Sequence, residues 1–137
     1  MDEQQLLERF QSNAPDFLKR LGGRFTHANP ATGTCVMAFD ISRDFCHSID
    51  VVQGGFITTI LDIAMTHAAF ASSDSVSNIA SLEIKTMYLE PTRAGQLRVE
   101  GSVTKLGYKT AFLEGRVYNS DGLLTATASS VAKVMRN

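Results

Sequence analysis

Val51-Val52-Gln53-Gly54-Gly55-Phe56-Ile57-Thr58-Thr59-Ile60-Leu61-Asp62-Ile63-Ala64-Met65-Thr66-His67-Ala68-Ala69-Phe70 is the stretch whose reading decides the fold. Its apolar residues fall on every side of a 3.6-residue period, which predicts a helix buried all round. That helix opens on a glycine pair and carries one carboxylate, Asp62, in its middle. A buried carboxylate is costly unless it is paired, hydrated or neutralised. Gly54 and Gly55, having no side chains, let a ligand reach the first free N–H groups of the helix. Those groups favour negative charge or a polarised carbonyl. A helix start that polarises an electrophile, with a carboxylate about two turns later, predicts a site that hydrolyses an activated acyl group.

Outward from the helix the pattern changes on both sides. Leu6, Leu7 and Phe10, then Phe17, Leu18 and Leu21, stand at helical spacing, so residues 1–22 predict two short helices stopped by Gly22-Gly23. Thr34–Ile41 alternates, with Cys35, Met37, Phe39 and Ile41 on one face of a strand. Ser42 to Asp50 is polar and leads into the helix, which runs to about Ala71; Ser72-Ser73-Asp74-Ser75 reads as a loop. Four strand-like runs follow, over 77–90, 96–106, 109–118 and 123–135, separated by turns that include Asn119-Ser120-Asp121-Gly122. In the first of them, strict alternation groups Ala80, Leu82, Ile84, Thr86 and Tyr88 on one face. The order predicts a single α+β domain over 1–137, with a twisted antiparallel sheet wrapped around one long helix.

Composition removes several alternatives. With 137 residues, 44% hydrophobic and 20% charged, the chain can build a core without long disorder. A net charge of −1 with scattered Lys and Arg argues against nucleic acid or an anionic membrane as partner. Asp62, His67 and three threonines make the long helix a poor membrane span. The acidic start Met1-Asp2-Glu3 is unlike a secretory signal, and Cys35 and Cys46 lack metal or redox spacing, so a cytoplasmic protein with reduced cysteines is expected. No Gly-x-Ser-x-Gly elbow, metal-spaced cluster or phosphate loop occurs, so a triad hydrolase, a metal site and a nucleotide cofactor are not expected.

The element order, Gly54-Gly55 with Asp62 eight residues after the first glycine, and Tyr88-Leu89-Glu90-Pro91 closing the next strand together resemble the hotdog fold. Within it the chain is most similar to the phenylacetate-degradation-type acyl-CoA thioesterases, from about Phe17 to the end. The resemblance implies a long central helix wrapped by a strongly curved antiparallel sheet of five to six strands. It also implies a homodimer, often paired again into a tetramer, with Asp62 of one subunit facing Gln53–Gly55 of the other. The family's His before the glycines is Gln53 here, its upstream Asn is His47, and its intervening Gly is Asp50. Gln53 donates and accepts hydrogen bonds but carries no proton that titrates, and an imidazole stands at His47 in place of the family's amide.

Each candidate carries two readings. Asp62 is a general base or nucleophile, or else a carboxylate satisfied by Thr58 or Thr66 one turn away, or by a subunit interface. Gly54 and Gly55 form an oxyanion-type donor set, merely permit a tight turn into the helix, or do both. Ser81 matches by position a family serine that helps hold the attacking water, or else is a plain strand serine. By strict alternation it lies opposite Leu82 and Ile84, so reaching Asp62 takes a bulge or a partner subunit. His47 is assigned to substrate binding and Gln53 to the catalytic set on the family positions, each being otherwise an ordinary polar loop residue. Gly55 joins the substrate-binding set, as does Thr66, which lies one turn beyond Asp62 and reads as a local hydrogen-bond partner, not a catalytic group. His67, about 140° around the helix from Asp62, reads as a satisfied buried histidine.

The function these readings imply is hydrolysis of an acyl-CoA thioester to free acid and coenzyme A, with no cofactor beyond the coenzyme A of the substrate. A thioester is already activated and its thiolate leaves readily, so one carboxylate and an oxyanion site suffice. The alternatives are a hotdog enoyl-CoA hydratase or dehydratase, in which His47 would work with Asp62, and a non-catalytic acyl-CoA-binding protein.

Overall fold

A capping box starts the chain in the computed structural model, which describes residues 1–137. Asp2 Oδ1 accepts from Gln5 N–H at 2.8 Å and Gln5 Oε1 accepts from Asp2 N–H at 3.0 Å, closing the first turn of α1 (Glu3–Ser12). Helix α2 (Asp16–Arg20) follows and ends, as expected, where Gly22 takes φ 77° and donates its N–H to Lys19 O. Leu6, Phe10, Leu18 and Leu21 of this segment are buried.

Strands β1 (Gly23–Asn29) and β2 (Thr34–Ile41) form a hairpin, and Cys35, Met37, Phe39 and Ile41 all point inward as their alternation predicts. The polar stretch after β2 folds into a turn and a two-stranded ribbon, β3 (Cys46–His47) with β4 (Val51–Val52). Val51 and Val52 therefore lie outside the helix that the sequence assigns them to. Their β-branched side chains suit a strand, and Val52 N–H donates to Thr92 O while Gln53 N–H donates to Phe45 O. Helix α3 (Gly54–Ser72) begins only after these bonds are made.

Strands β5 (Val76–Tyr88), β6 (Gly95–Leu106), β7 (Thr110–Asn119) and β8 (Leu124–Arg136) complete one six-stranded antiparallel sheet in the order β1-β2-β6-β7-β8-β5. β6, β7 and β8 are successive hairpins, but β5 is not their neighbour in the way its sequence position suggests. It pairs with β8 at the sheet's far edge, while β6 pairs with β2. The connection from Leu89 to Ala94 crosses the sheet's end, bonding first to Thr125 O and then to Asp50 and Val52 beside the start of α3.

The sheet curves around α3, which packs on β6, β2, β5 and β7. Ile57, Ile60, Leu61, Ala64, Met65 and Ala68 meet Met37, Phe39, Val99, Leu113 and Val117 in the core. Gly101 permits the closest approach, since a Cβ there would sit 2.2 Å from Ala64 O. This is the hotdog architecture: a long central helix against a six-stranded antiparallel sheet. By length and composition α3 could cross a membrane, but half of its most apolar stretch is buried inside the protein.

Burial is not uniform around α3. Gly55 and Phe56 are exposed, and Thr59, Asp62, Thr66 and Phe70 are half-buried. Spacings of 4, 3, 4 and 4 from Gly55 put Gly55, Thr59, Asp62, Thr66 and Phe70 on one open stripe. Asp62 is thus half-buried on that stripe, where the sequence pattern predicts full burial.

The two sheet edges differ. On β1, the N–H groups of Ala28 and Phe25 donate to Glu3 Oε2 at 3.1 Å and Gln11 Oε1 at 3.2 Å, so α1 covers that edge. The outer side of β5 pairs with no strand.

Candidate active site

Asp62 projects from the middle of α3 toward β5, and its Oδ1 accepts a hydrogen bond from Ser81 Oγ at 2.7 Å. The pairing of β5 with β8 shifts register between Ser81 and Glu83. This bulge is what turns Ser81 toward the helix. It also separates Leu82, which is 65% exposed, from Ile84 and Thr86, which are half-buried; strict alternation groups all three together. Neither Thr58 nor Thr66 satisfies Asp62. Thr66 Oγ1 donates to Ile63 O at 3.1 Å, and Thr58 Oγ1 bonds Thr86 Oγ1 at 2.8 Å.

At the other end of the stripe, Gln53 occupies the N-cap position of α3 with extended backbone, φ −59° and ψ 135°, and no side-chain capping bond. Its carbonyl accepts from Phe56 and Ile57 N–H, while the Gly54 and Gly55 N–H groups have no acceptor within the chain. A Cβ at Gly55 would meet nothing within 4 Å, so the space in front of that amide is open. At Gly54 a Cβ would sit 3.0 Å from Tyr88 Oη, because the tyrosine hydroxyl donates to Gly54 O at 2.8 Å. A cavity of about 350 Å³ adjoins this helix start, lined by His47, Val52, Gly54, Ile57, Tyr88 and Glu90 among others. Gly54 lines this cavity and Gly55 follows it in the first turn, so two free amide donors stand at the positive end of a 19-residue helix, an arrangement suited to a carbonyl that gains negative charge.

The sequence profile of the thioesterase superfamily matches residues 49–126, which hold β4, α3, β5, β6, β7 and the start of β8. The chain belongs to the thioesterase superfamily. A protein of Saccharolobus solfataricus that carries an esterase name is 28% identical over 108 residues, covering 79% of this chain and 76% of that one. The fold matches that of a phenylacetic acid degradation-related protein of Ralstonia eutropha at TM-score 0.86 and 22% identity, over 97% of this chain and all of that one. It also matches a Streptococcus mutans protein solved with acetyl CoA bound, at TM-score 0.74 and 17% identity, over 82% and 88% of the two chains.

In this superfamily member the residues singled out in the sequence fall into two groups and a remainder. Asp62 and Ser81 are joined directly, and Gln53, Gly54 and Gly55 form the helix start with His47 beside them. His47 Nδ1 lies 3.0 Å from Ser48 Oγ, on a turn where Ser48 adopts φ 57°, and shares no bond with Asp62. Asp50, in place of the family glycine, pairs with Arg93 at 2.7 Å and accepts from Ala94 N–H, pinning that turn to the β5–β6 connection. Thr66 lies on the open stripe one turn beyond Asp62 and gives its hydroxyl proton to Ile63 O, not to the carboxylate. His67 faces away, its Nδ1–H on Ile63 O at 2.7 Å and its ring among Phe10, Phe25 and Phe70. Burial lowers its pKa, and the bond to Ile63 only partly opposes that.

The contact that sequence reading does not reach is Tyr88 on Gly54. The Tyr88-Leu89-Glu90-Pro91 motif marks a strand end, and nothing in it says that the hydroxyl returns 34 positions to the helix start. One signal was present: Thr86 and Tyr88 share the face of β5 that meets α3, and a tyrosine facing a glycine pair can approach the backbone closely.

Proposed function

We propose that this protein hydrolyses acyl-CoA thioesters, each site being assembled from two copies of the chain. The observation that carries the reading is the pair of free amides at Gly54 and Gly55, at the head of the open stripe that carries the Ser81-oriented Asp62. Eight residues of helix separate the two groups, about 12 Å at 1.5 Å per residue. That is too far for both to act on one carbonyl, whose nucleophile must come within about 3.5 Å. Two copies related by a two-fold axis, with their stripes facing and running oppositely, bring Asp62 of each near Gly54 of the other. The uncovered β5 edges supply the remaining contact, and Leu82 and Met87 are exposed beside them.

In that site the thioester oxygen lies at the Gly54 and Gly55 N–H groups. Asp62 removes a proton from water held with Ser81; the hydroxide oxygen bonds to the carbonyl carbon, and the electron pair of the C=O moves onto oxygen. Collapse of the tetrahedral species breaks the C–S bond, and the proton on Asp62 passes to the departing sulfur. Alternatively the Asp62 carboxylate itself attacks, giving an anhydride that water then opens. In single-turnover hydrolysis in H₂¹⁸O, label in the Asp62 carboxylate marks the anhydride route, because it enters only when water attacks the Asp62 carbonyl carbon of that anhydride. His47, Gly55 and Thr66 line the path of the substrate, and Gln53 orients it by hydrogen bonding. The S. mutans protein of similar fold that binds acetyl CoA supports a coenzyme A thioester as the substrate class.

Asp62→Asn nearly preserves shape and removes the base. A screen over short, long and aromatic acyl-CoAs with thiol detection should show turnover by the parent and a loss of about 100-fold or more in the variant. Equal rates would refute the role given to Asp62. Ligand-dependent stabilisation without turnover by the parent would identify a binding protein instead.

A further inference from the structure

We infer that Tyr88 is a positioning residue for the amide donors, acting as the last member of a directed hydroxyl chain that begins at Thr86. The inference rests on the thioesterase reading above. Three bonds define the chain: Thr86 Oγ1 to Thr58 Oγ1 at 2.8 Å, Thr58 Oγ1 to Tyr88 Oη at 3.1 Å, and Tyr88 Oη to Gly54 O at 2.8 Å.

Their direction follows from counting protons. A carbonyl oxygen only accepts, so the single Tyr88 O–H points at Gly54 O. Tyr88 Oη must then accept from Thr58, and Thr58, having spent its one hydrogen, must accept from Thr86. Each hydroxyl that accepts while donating becomes a better donor, by roughly 10–30% per bond in condensed-phase terms. The whole chain therefore pulls on one carbonyl.

Gly54 C=O and Gly55 N–H belong to the same peptide plane, which is rigid because its C–N bond has partial double-bond character. Holding the oxygen fixes where the Gly55 N–H points. Drawing electron density toward that oxygen makes the N–H a stronger donor. The same contact packs the tyrosine ring end against Gly54, since a Cβ there would lie 3.0 Å from Oη and 3.1 Å from Cζ. The residue whose own N–H is the other free donor is thereby held as well. Donors that need no reorganisation as charge develops are the ones that lower a barrier most.

The β5 bulge ties this device to the acid. Residues before it face α3 at Ser81 and those after it at Thr86 and Tyr88, so one register shift serves both ends of the stripe.

Tyr88→Phe removes the hydroxyl and keeps the ring. Removing an oxyanion donor outright costs about 10²–10³ in rate, so loosening donors that remain in place should lower kcat about 10-fold. KM should stay within about twofold, because ground-state binding is little changed. Thr58→Val should show a smaller loss of the same kind, and Thr58→Ser, which keeps the hydroxyl, should restore the parent's kcat. Selective ¹⁵N-glycine labelling gives a second readout that needs no turnover, with only 10 glycine signals to assign. The Gly55 amide resonance should move upfield in Tyr88→Phe and Thr58→Val, and hold its place in Thr58→Ser. A Tyr88→Phe variant with the parent's kcat, or with an unmoved Gly55 resonance, overturns the inference. Unchanged hydrolysis by Asp62→Asn would instead count against the thioesterase mechanism, with the Gly55 signal still deciding whether Tyr88 holds the peptide.

Discussion

A two-chain site makes a prediction that no single-chain site can meet. Asp62→Asn removes the acid. Gly54→Pro removes the Gly54 N–H at the first helical position, where proline is best tolerated. The preceding Gln53, at φ −59° and ψ 135°, already has the extended backbone that a following proline demands. The ring's Cβ would approach Tyr88 Oη at 3.0 Å, a contact a side-chain end relieves by a few tenths of an ångström. Each variant alone should lose about 100-fold or more. When equal amounts exchange subunits, half of the dimers are mixed, and each mixed dimer carries one site with Asp62 and Gly54 both intact. The mixture should therefore recover about a quarter of the parent's activity per chain. Thiol release measured before and after exchange, with mixed dimers verified by native mass spectrometry, reads this directly. Mixed dimers no more active than the sum of the two variants would refute the 12 Å argument and place the reaction elsewhere.

Two further predictions concern groups outside the site. Burial lowers the His67 pKa, so below about 6.5 the unfolded chain binds a proton that the folded chain resists. Stability should hold steady above that value and fall as pH drops through it; melting curves from pH 7.5 to 5 should slope less in His67→Gln, and equal slopes would contradict the assignment. Burial pushes the Cys35 thiol up to about 12, while Cys46 is only partly covered. Iodoacetamide at pH 8 should modify one thiol quickly in the folded protein and two in denaturant, and rapid loss of both in the folded state would show that the core opens readily.

Much of the fold was legible because its signals are periodic. β2 alternates without exception, and α3 is long, apolar and preceded by glycines. The sequence pattern misleads where tertiary contacts override period. Val51 and Val52 fit a helical apolar run, but hydrogen bonds to Thr92 and the β3 ribbon draw them into a strand. The bulge after Ser81 has no local signature, since neither glycine nor proline marks it, and it reverses the face of Leu82. Strand order was equally hidden: β5 and β6 follow one another in sequence, yet the Leu89–Ala94 crossover parts them. At the site, Asp62 and the glycine pair stood out by chemical incongruity in an apolar run. Tyr88 did not, because its role depends on a distance between elements, not on a pattern within one.

The unequal treatment of the sheet's borders has a consequence for solution behaviour. A molecule with two open strand borders is a bifunctional monomer, and nothing stops such units from adding end to end into fibrils. Here Glu3 and Gln11 occupy the β1 amides and leave one reactive border per molecule. A monovalent unit terminates after a single step, so whatever docks on β5 yields a closed particle of fixed size instead of a growing polymer.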